Sequence, residues 1–194
     1  NNVESVFNVA AGMEIFHNFT LLHDDVMDKA DVRRGSPTVH KKWNENTAIL
    51  SGDGMLVLAY QYLAQCNPSY LKQILDLAND TFVGITDGQQ FDMDFETRND
   101  VSELEYLEMI RLKTSILLAA CLKMGAILGG ASEEDANLLY SFGEKLGLAF
   151  QLQDDLLDVY GDVKVFGKRI GGDIVCNKKT YMYINTCLLA SDEE

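Results

Sequence analysis

The scarcity of proline is the feature that most constrains the fold of this chain. Only two prolines, Pro37 and Pro68, occur in 194 residues, and the long segments around them repeat apolar residues with the period of an amphipathic helix. Proline interrupts helices because its ring clashes with the preceding turn and it has no amide hydrogen. The pattern therefore predicts an all-α protein. The acidic residues Asp92, Asp94 and Glu96 alternate with apolar ones, but three such pairs do not predict a sheet.

Size and charge narrow the class of protein further. With 194 residues, of which 47% are hydrophobic, the chain is large enough for one domain with a sizeable core. Its net charge of -14 argues against a nucleic-acid partner, because phosphate backbones require a basic surface. None of the four cysteines forms a CxxC pair, which favours a reduced, cytoplasmic protein. The longest apolar run, Ile116–Leu122, is too short to span a bilayer, so we expect no stable membrane insertion.

Local signals predict where the helices begin and end. Ser102 and Glu105 fit a capping box, Gly129 follows that helix as a stop signal, and Ser69 is expected to cap the segment after Pro68. The glycine-rich segment 161–177 is expected to be a loop. The predicted helices are, approximately, Val3–Asp28, Thr38–Trp43, Thr47–Gln65, Tyr70–Phe95, Ser102–Leu128, Ser132–Val159 and Lys178–Ser191.

Two D-D-x-x-D motifs lie at the ends of two predicted helices. Residues four apart share a helix face, where like charges repel, and the C-terminal end of a helix disfavours anions. One such motif is more often a solvated helix end. Two motifs on strongly apolar helices predict a bound cation, and oxygen ligands suit Mg²⁺, which bridges carboxylates to substrate phosphates. The six residues are Asp24, Asp25, Asp28, Asp154, Asp155 and Asp158.

The residues that precede each motif on the same helix face are small or apolar. Their angular positions, counted back from the first aspartate at about 100° per residue, place them below the carboxylates. Packing of helices against each other and a cavity for an apolar chain explain this pattern equally well. The residues are Met13, His17 and Thr20 below Asp24, and Gly143, Gly147, Phe150 and Gln151 below Asp154.

Basic residues supply the positive charge that a diphosphate requires. Adjacent arginines beside carboxylates form either weak surface ion pairs or bidentate contacts to phosphate oxygens. A lysine in mid-helix either extends along apolar surface to water or binds the anion. Singly these signals are weak, but together they predict a charge-matched diphosphate site. The residues are Arg33, Arg34, Lys113 with Thr114, Lys168 and Lys178.

Five segments resemble trans-isoprenyl diphosphate synthases of the polyprenyl synthetase family. LLHDDVMDKADVRRGSPTVH is similar to the first aspartate-rich region of that family and FQLQDDLLDVYGD to the second. GQQFD, RLKTS and FGKRIGGDIVCNKKT resemble further family segments in the same order. The resemblance covers essentially the whole chain. It implies an all-α, isoprenoid synthase-type helical bundle around a central cavity, as a single domain over residues 1–194 that lacks N-terminal and C-terminal helices of the family.

The resemblance also implies an activity. The chain is expected to be a Mg²⁺-dependent prenyltransferase that condenses an allylic diphosphate with isopentenyl diphosphate, giving geranylgeranyl or farnesyl diphosphate and pyrophosphate. Three Mg²⁺ ions are expected, with Mn²⁺ as an alternative. The family further implies a cytoplasmic homodimer.

The family roles fall on residues of this chain that match its motifs. As implied by the resemblance, the direct metal ligands are Asp24, Asp28 and Asp154, supported directly or through water by Asp25, Asp155 and Asp158. The allylic diphosphate is expected to be held by Arg33, Lys113 and Lys168, with Gln151, Thr114 and Lys178 lining the same site. The expected catalytic residues are Asp24, Asp28, Arg33, Lys113, Asp154 and Lys168.

The remaining roles concern the second substrate and the product. The resemblance implies that Arg34 and His17 bind isopentenyl diphosphate and that Gln89 and Asp92 line the cavity. It also implies that the residues upstream of the first motif limit product length. These are Phe16, Phe19 and Thr20.

Three other interpretations stay open at this point. A class I terpene cyclase shares the first motif, but it usually carries an Asn/Ser/Glu metal motif in place of the second. A catalytically silent partner subunit would retain the fold, and the lack of the family's N-terminal Gly-Lys and Arg allows it. A generic acidic helical scaffold would bind no bisphosphonate in the presence of Mg²⁺.

Overall fold

The fold is helical, as the proline-poor sequence predicts. The computed structural model describes residues 3–161 and 171–191. Within them, β1 (Val32–Arg33) and β2 (Ser36–Pro37) form one antiparallel pair. The other elements in these residues are helices, so the all-α class is confirmed. The helices are α1 (Val3–Met27), α2 (Val39–Lys42), α3 (Glu45–Leu63), α4 (Pro68–Glu96), α5 (Glu103–Ile110), α6 (Ile116–Gly129), α7 (Glu133–Tyr160), α8 (Gly172–Val175) and α9 (Tyr181–Leu189).

The described residues form two compact units. The first contains the chain up to Asp76 together with Ile127–Gly130, and the second contains Leu77–Ala126 and the described residues from Ala131 onward. The first aspartate motif belongs to the first unit and the second motif to the second unit. That residues 1–194 form a single domain stays a prediction.

The core of the first unit lies between α1 and α3. Gly12 allows the two helices to approach closely, because a Cβ there would lie 3.0 Å from the carbonyl oxygen of Ala59. α3 begins at Glu45, two residues earlier than predicted, because the side chain of Asn44 caps it by accepting a hydrogen bond from the Thr47 amide at 2.8 Å. The buried apolar residues along the contact are Val9, Met13, Phe16, Ala48, Ala59 and Leu63.

The core of the second unit gathers residues from four helices and one connection. Their side chains exclude water around Tyr106, which is 2% exposed. The predicted capping box at Ser102 and Glu105 is present and directs α5 into this core. The buried residues are Phe95 of α4, Val101 of the connection before α5, Tyr106, Met109 and Ile110 of α5, and Ile184 of α9, with Leu148 and Leu152 of α7 packed against them.

The start of α4 corrects one predicted boundary. The helix begins at Pro68 rather than at Tyr70, because proline is compatible with the first turn of a helix, where no amide hydrogen is needed. Ser69 does not cap the helix. Instead the Asn67 side chain accepts a hydrogen bond from the Ser69 amide at 3.0 Å.

The predicted helix Ser102–Leu128 is interrupted by a wider turn. Residues Arg111–Ser115 form a π-helical turn between α5 and α6, and the Ser115 hydroxyl donates to the Ile110 carbonyl five residues back, at 3.4 Å. Single π-helical turns inside helices frequently occur at functional sites. The sequence pattern contained no signal for this turn.

The continuous helical stretch Glu103–Gly129 is longer than the apolar run suggested. By length and composition alone its 27 residues suffice to cross a membrane, and 44% of its most apolar window is buried inside the protein. Such a stretch is weak evidence for a membrane span, because buried core helices of other proteins have the same length and composition, and the expectation of no stable membrane insertion stays a prediction. Arg111, within the first third of the stretch, donates to Glu144 of α7 at 3.0 Å, which is typical of a helix that packs against other helices.

Candidate functional site

The first aspartate motif lies in the last turn of α1, where an arginine pairs with it. Asp25 is 4% exposed, and Arg33 donates through Nε to Asp25 Oδ1 at 2.8 Å and through Nη2 to Asp24 Oδ2 at 3.3 Å. Asp28 is exposed and follows the last helical residue, and its amide still donates to the Asp24 carbonyl at 2.8 Å. Asp24 and Asp28 thus keep the helical spacing that the sequence predicts. In this structure Arg33 forms an ion pair, one of its two predicted interpretations.

The reversal after α1 carries Arg33 back to the motif. Lys29 adopts the left-handed conformation (φ 53°), and the Ala30 amide donates to the Asp25 carbonyl at 3.0 Å, which is the Schellman pattern of a helix end. Arg34 (φ 52°) and Gly35 (φ 75°) form the turn between β1 and β2, where two successive positive φ angles suit a type I′ hairpin. Arg34 is exposed at the tip of this hairpin.

The other predicted residues of the first unit lie on α1. His17 lies half-exposed, 3.9 Å from the Glu14 carboxylate, and its carbonyl accepts a hydrogen bond from the Thr20 hydroxyl at 2.8 Å. Phe16 is 2% exposed, and its ring centroid lies 5.5 Å from that of the half-buried Phe19. The structure therefore brings the three predicted chain-length residues together on two successive turns.

The second unit contains a buried carboxylate between two lysines. Asp92 is 7% exposed. Its Oδ2 accepts hydrogen bonds from Lys113 Nζ at 2.7 Å and from Lys178 Nζ at 2.8 Å, and Lys178 also reaches Glu96 Oε1 at 2.7 Å. Burial raises the pKa of Asp92, but the two ammonium groups outweigh burial and hold that pKa below its ordinary value of 3.8. Lys113 and Lys178, predicted to bind one diphosphate, are thus adjacent.

Close contact between α4 and the π-helical turn places these groups together. A Cβ on Gly88 would lie 2.4 Å from the backbone nitrogen of Lys113, so a larger residue would force the two backbones apart. Asp92 follows Gly88 by one helical turn on the same face. Gln89, the neighbouring predicted residue, is half-buried.

In the second aspartate motif the middle carboxylate faces the interior. Asp155 is 4% exposed. It accepts hydrogen bonds from the Tyr106 hydroxyl, from Gln151 Nε2 at 3.3 Å and from the Tyr181 amide at 3.3 Å. Burial raises the pKa of Asp155, and these hydrogen bonds offset part of the increase. Asp154 is half-buried.

The last aspartate of the second motif holds α8 in place. Asp158 is 6% exposed, and its Oδ2 accepts a hydrogen bond from the Asp173 amide at 3.2 Å. Its carbonyl accepts another from the amide of Gly171 at 2.8 Å. The predicted loop 161–177 therefore contains a helical turn that the sequence did not indicate. Lys168 lies outside the described residues.

The glycines below the second motif are explained by helix packing. A Cβ on Gly147 would lie 2.5 Å from the Ser115 Cα, and one on Gly143 would lie 2.7 Å from the Ala119 Cα. Of the two explanations that the sequence left open, the structure supports packing at these positions. The same contact brings two predicted residues together, because Thr114 donates to Gln151 Oε1 at 3.1 Å.

The carboxylates fit Mg²⁺ in the way that it usually binds to proteins. Across residues 3–161 and 171–191, no group of three or more His, Cys, Asp or Glu side chains converges as a metal site. Mg²⁺ typically uses one or two carboxylates, with water and substrate phosphates completing its ligands. Asp24, Asp28 and Asp154 are carboxylates of this kind. Both oxygens of Asp155 accept hydrogen bonds within the protein.

Sequence reasoning missed residues that support the site. Tyr106 lies among apolar residues and resembles any core aromatic, so its hydrogen bond to Asp155 had no signal in the sequence. The sequence shows Glu96 only as one of three acidic residues that alternate with apolar ones, whereas in the structure it shares Lys178 with Asp92. Asn177 donates to the Glu96 carbonyl at 2.6 Å, whereas the glycine-rich sequence before it predicts only a loop.

These features define a class of protein. It is an all-α protein whose two aspartate motifs lie at helix ends, and arginine and lysine side chains supply positive charge. That combination suits a divalent cation together with a diphosphate.

Comparison with known proteins places the chain within this class, and the chain belongs to the polyprenyl synthetase family, whose model matches residues 1–194. It is 46% identical over 187 residues to a geranylgeranyl diphosphate synthase of Methanosarcina mazei, covering 95% of this chain and 58% of that protein. The family and the fold predicted from the sequence are thereby confirmed.

Solved structures show the same fold. The geranylgeranyl pyrophosphate synthetase from Pyrococcus horikoshii has a TM-score of 0.93 at 36% identity, covering 100% of this chain and 60% of that one. The geranyltransferase from Helicobacter pylori, complexed with magnesium and isoprenyl diphosphate, has a TM-score of 0.82 at 30% identity, covering 92% and 60%. The chain thus spans less than two thirds of the length of these relatives.

Proposed function

We propose that this protein is a Mg²⁺-dependent trans-prenyltransferase. It condenses an allylic diphosphate with isopentenyl diphosphate and releases a short-chain trans-prenyl diphosphate and pyrophosphate. The observation that carries the proposal is the presence of both aspartate motifs, each with cationic side chains in its own unit, in a member of the polyprenyl synthetase family. A related structure bound to magnesium and isoprenyl diphosphate supports the same chemistry.

The first step separates the allylic carbon from its diphosphate. The bond between them breaks with both electrons moving to the diphosphate oxygen, so negative charge develops on the leaving group. Mg²⁺, when bound, would supply positive charge that offsets it. Asp24, Asp28 and Asp154 would hold the metal, while Lys113 and Lys178 offer preorganised positive charge to the phosphate oxygens. Arg33 orders the first motif through Asp25 and contributes a further cation.

The second step joins the two substrates. The double bond of isopentenyl diphosphate attacks the allylic cation to form a new carbon–carbon bond, and loss of a proton restores a double bond. The released diphosphate is the proposed base. His23 is the residue nearest to the first motif that could compete for this role. Its Nε2 lies 3.1 Å from the Ile49 carbonyl, and we assign it a structural one.

The proposal includes the finer features that the family suggests. It comprises three Mg²⁺ ions, with Mn²⁺ as a substitute, a homodimer and a cytoplasmic location. Arg34 and His17 are assigned to isopentenyl diphosphate, and Lys168 to the allylic diphosphate. The product is geranylgeranyl or farnesyl diphosphate, which agrees with the name of the Methanosarcina relative and with the aromatic pair Phe16 and Phe19 upstream of the motif.

Product analysis tests the proposal. The protein expressed from its own gene is incubated with dimethylallyl and isopentenyl diphosphates, with Mg²⁺ or with excess EDTA, and products are separated by chromatography after removal of the diphosphate. We expect C15 or C20 alcohols that require Mg²⁺ and disappear in Asp24→Ala. Absence of product in the wild type would contradict the proposal. Hydrocarbon formation from a supplied prenyl diphosphate would indicate a terpene cyclase instead.

A further inference from the structure

Asn177 is held in an uncommon backbone conformation by hydrogen bonds at both ends of its side chain. Its φ of 56° lies in the left-handed region, which asparagine tolerates better than most residues. Its Nδ2 donates to the carbonyl of Glu96, the last residue of α4, at 2.6 Å, and its Oδ1 accepts from Lys179 Nζ at 2.8 Å. An amide side chain oriented by a donor on one side and an acceptor on the other has one favoured orientation.

Lys179 is a buried cation with a neutral partner. It is 4% exposed, and besides Asn177 its ammonium lies 4.9 Å from the ring centroid of Tyr183. Burial of an ammonium group costs free energy unless hydrogen bonds and charge contacts compensate, and contact with an aromatic ring offers partial compensation. Fixing the orientation of the Asn177 amide gives this costly group a role.

Lys178 lies between these two residues and is fixed from both sides. Its amide donates to the Asp173 carbonyl at 2.9 Å, and the Asp173 amide in turn donates to Asp158 of the second motif at 3.2 Å. Its ammonium contacts Asp92 and Glu96. The backbone that presents Lys178 is therefore anchored to α4 through Asn177 and to α7 through Asp173.

We propose that Asn177 and Lys179 are positioning residues, which hold Lys178 where it can bind a diphosphate. This inference rests on the proposed function, because it assumes that Lys178 contacts the diphosphate. Neither residue need touch the substrate. They act by fixing the left-handed turn that directs Lys178 toward Asp92, so that little conformational freedom is lost when the anion binds.

Calorimetry with inorganic pyrophosphate and Mg²⁺ tests the inference. Asn177→Gly keeps the left-handed backbone accessible while removing the amide, and Lys179→Met keeps the apolar volume while removing the donor. We expect each to weaken pyrophosphate binding about tenfold, the effect of one hydrogen-bonded constraint lost. Lys179→Met should do so without lowering the melting temperature, because a buried charge is replaced by an apolar chain. A purely structural role would lower both together.

A double variant separates positioning from general damage. If Asn177 acts through Lys178, then Asn177→Gly added to Lys178→Met should not weaken binding further than Lys178→Met alone. Asn185→Ala is the matched control, because that side chain also donates to a backbone carbonyl, of Tyr181 at 3.0 Å, and binding should be unchanged.

These measurements distinguish failure of the positioning role from failure of the proposed function. Wild-type binding that both single variants retain would overturn the positioning role and leave the proposed function intact. Additive losses in the double variant would overturn it as well. A wild type that binds no pyrophosphate with Mg²⁺ would overturn the proposed function, and the positioning role with it.

Discussion

At the scale of one residue, Asp92 combines two roles. Its Oδ2 atom accepts hydrogen bonds from both Lys113 and Lys178, which are far apart in the sequence. Sequence comparison suggests a residue that lines a cavity, whereas the structure adds a second role as the counter-ion that gathers two cations. A buried carboxylate can perform this role because its charge is matched by ammonium groups on more than one side.

Replacement of Asp92 by asparagine should destabilise the protein in a pH-dependent manner. At pH 7 we expect Asp92→Asn to lower the free energy of unfolding by about 2 kcal/mol, because two ammonium groups then face a neutral amide. The pKa of Asp92 is lowered on folding, so its contribution is present above its ordinary value of 3.8 and is lost as pH falls through the lower folded value. Urea unfolding of both proteins from pH 7 to pH 2 measures this.

The difference between wild type and Asp92→Asn should shrink below about pH 3.8. A difference that stays constant down to pH 2 would show that the loss at neutral pH does not come from the charge of Asp92. Asp76→Asn, at an exposed ion pair with Lys72, should change stability little at any of these pH values.

Phe19 is the residue at which we expect product length to respond. Phe19→Ala removes a half-buried ring next to Phe16, and under the proposed function the space it leaves should allow further condensations. We expect a shift toward longer prenyl alcohols in chromatography of dephosphorylated products. Phe7→Ala is the matched control, since Phe7 lies on the same helix with 69% of its surface exposed. An unchanged product distribution in Phe19→Ala would refute this role.

At the scale of elements, glycines determine how closely the helices approach. There is no room for a Cβ on Gly88, which packs against the π-helical turn. The same holds in α7 for Gly143 against Ala119 and for Gly147 against Ser115. The sequence reveals such glycines as costs in helix propensity, but it does not reveal which neighbour fills the space. The hydrogen-bonded pairs Lys113–Asp92 and Thr114–Gln151 depend on these contacts.

A pair of glycine substitutions tests this account of the packing. Gly88→Ala places a methyl group within 2.4 Å of the Lys113 backbone, and we expect it to destabilise the protein by about 2 kcal/mol despite the better helix propensity of alanine. Gly125→Ala, on α6 with nothing within 4 Å of the new Cβ, should stabilise it by up to about 1 kcal/mol. Thermal unfolding by circular dichroism measures both. Equal effects of the two substitutions would contradict the account.

Much of the element structure could be predicted, and the failures have physical causes. Ser102 with Glu105 and Ser132 with its acidic first turn fix helix starts through local hydrogen bonds, which the sequence shows directly. The π-helical turn depends on contacts made by α4 and α7, which are distant in sequence. α8 depends on hydrogen bonds that the Asp173 and Gly171 amides donate to Asp158 of α7. Its own glycine-rich sequence does not show these bonds and therefore predicts a loop.

At the scale of the whole molecule, motif spacing is more informative than composition. A charge of -14 argues against nucleic acid as a partner, but it does not identify a reaction. The paired aspartate motifs select a chemistry, and the family match over residues 1–194 agrees with them. The family resemblance also implies that Lys113, Lys178, Thr114 and Gln151 line one site. In the structure Lys113 and Lys178 share Asp92, and Thr114 donates to Gln151. Tyr106 escaped prediction because a buried hydrogen bond leaves no periodic signal.

The central claim is that both aspartate motifs serve one Mg²⁺-dependent reaction, and double-mutant kinetics test it most directly. The measurement is the rate of condensation of dimethylallyl and isopentenyl diphosphates by the wild type, by Asp24→Asn, by Asp154→Asn and by the double variant. We predict a loss of at least about a hundredfold for each single variant, with the double variant losing far less than the product of the two, as for groups that act as a unit. A wild-type rate in either single variant, or losses that multiply, would contradict the claim.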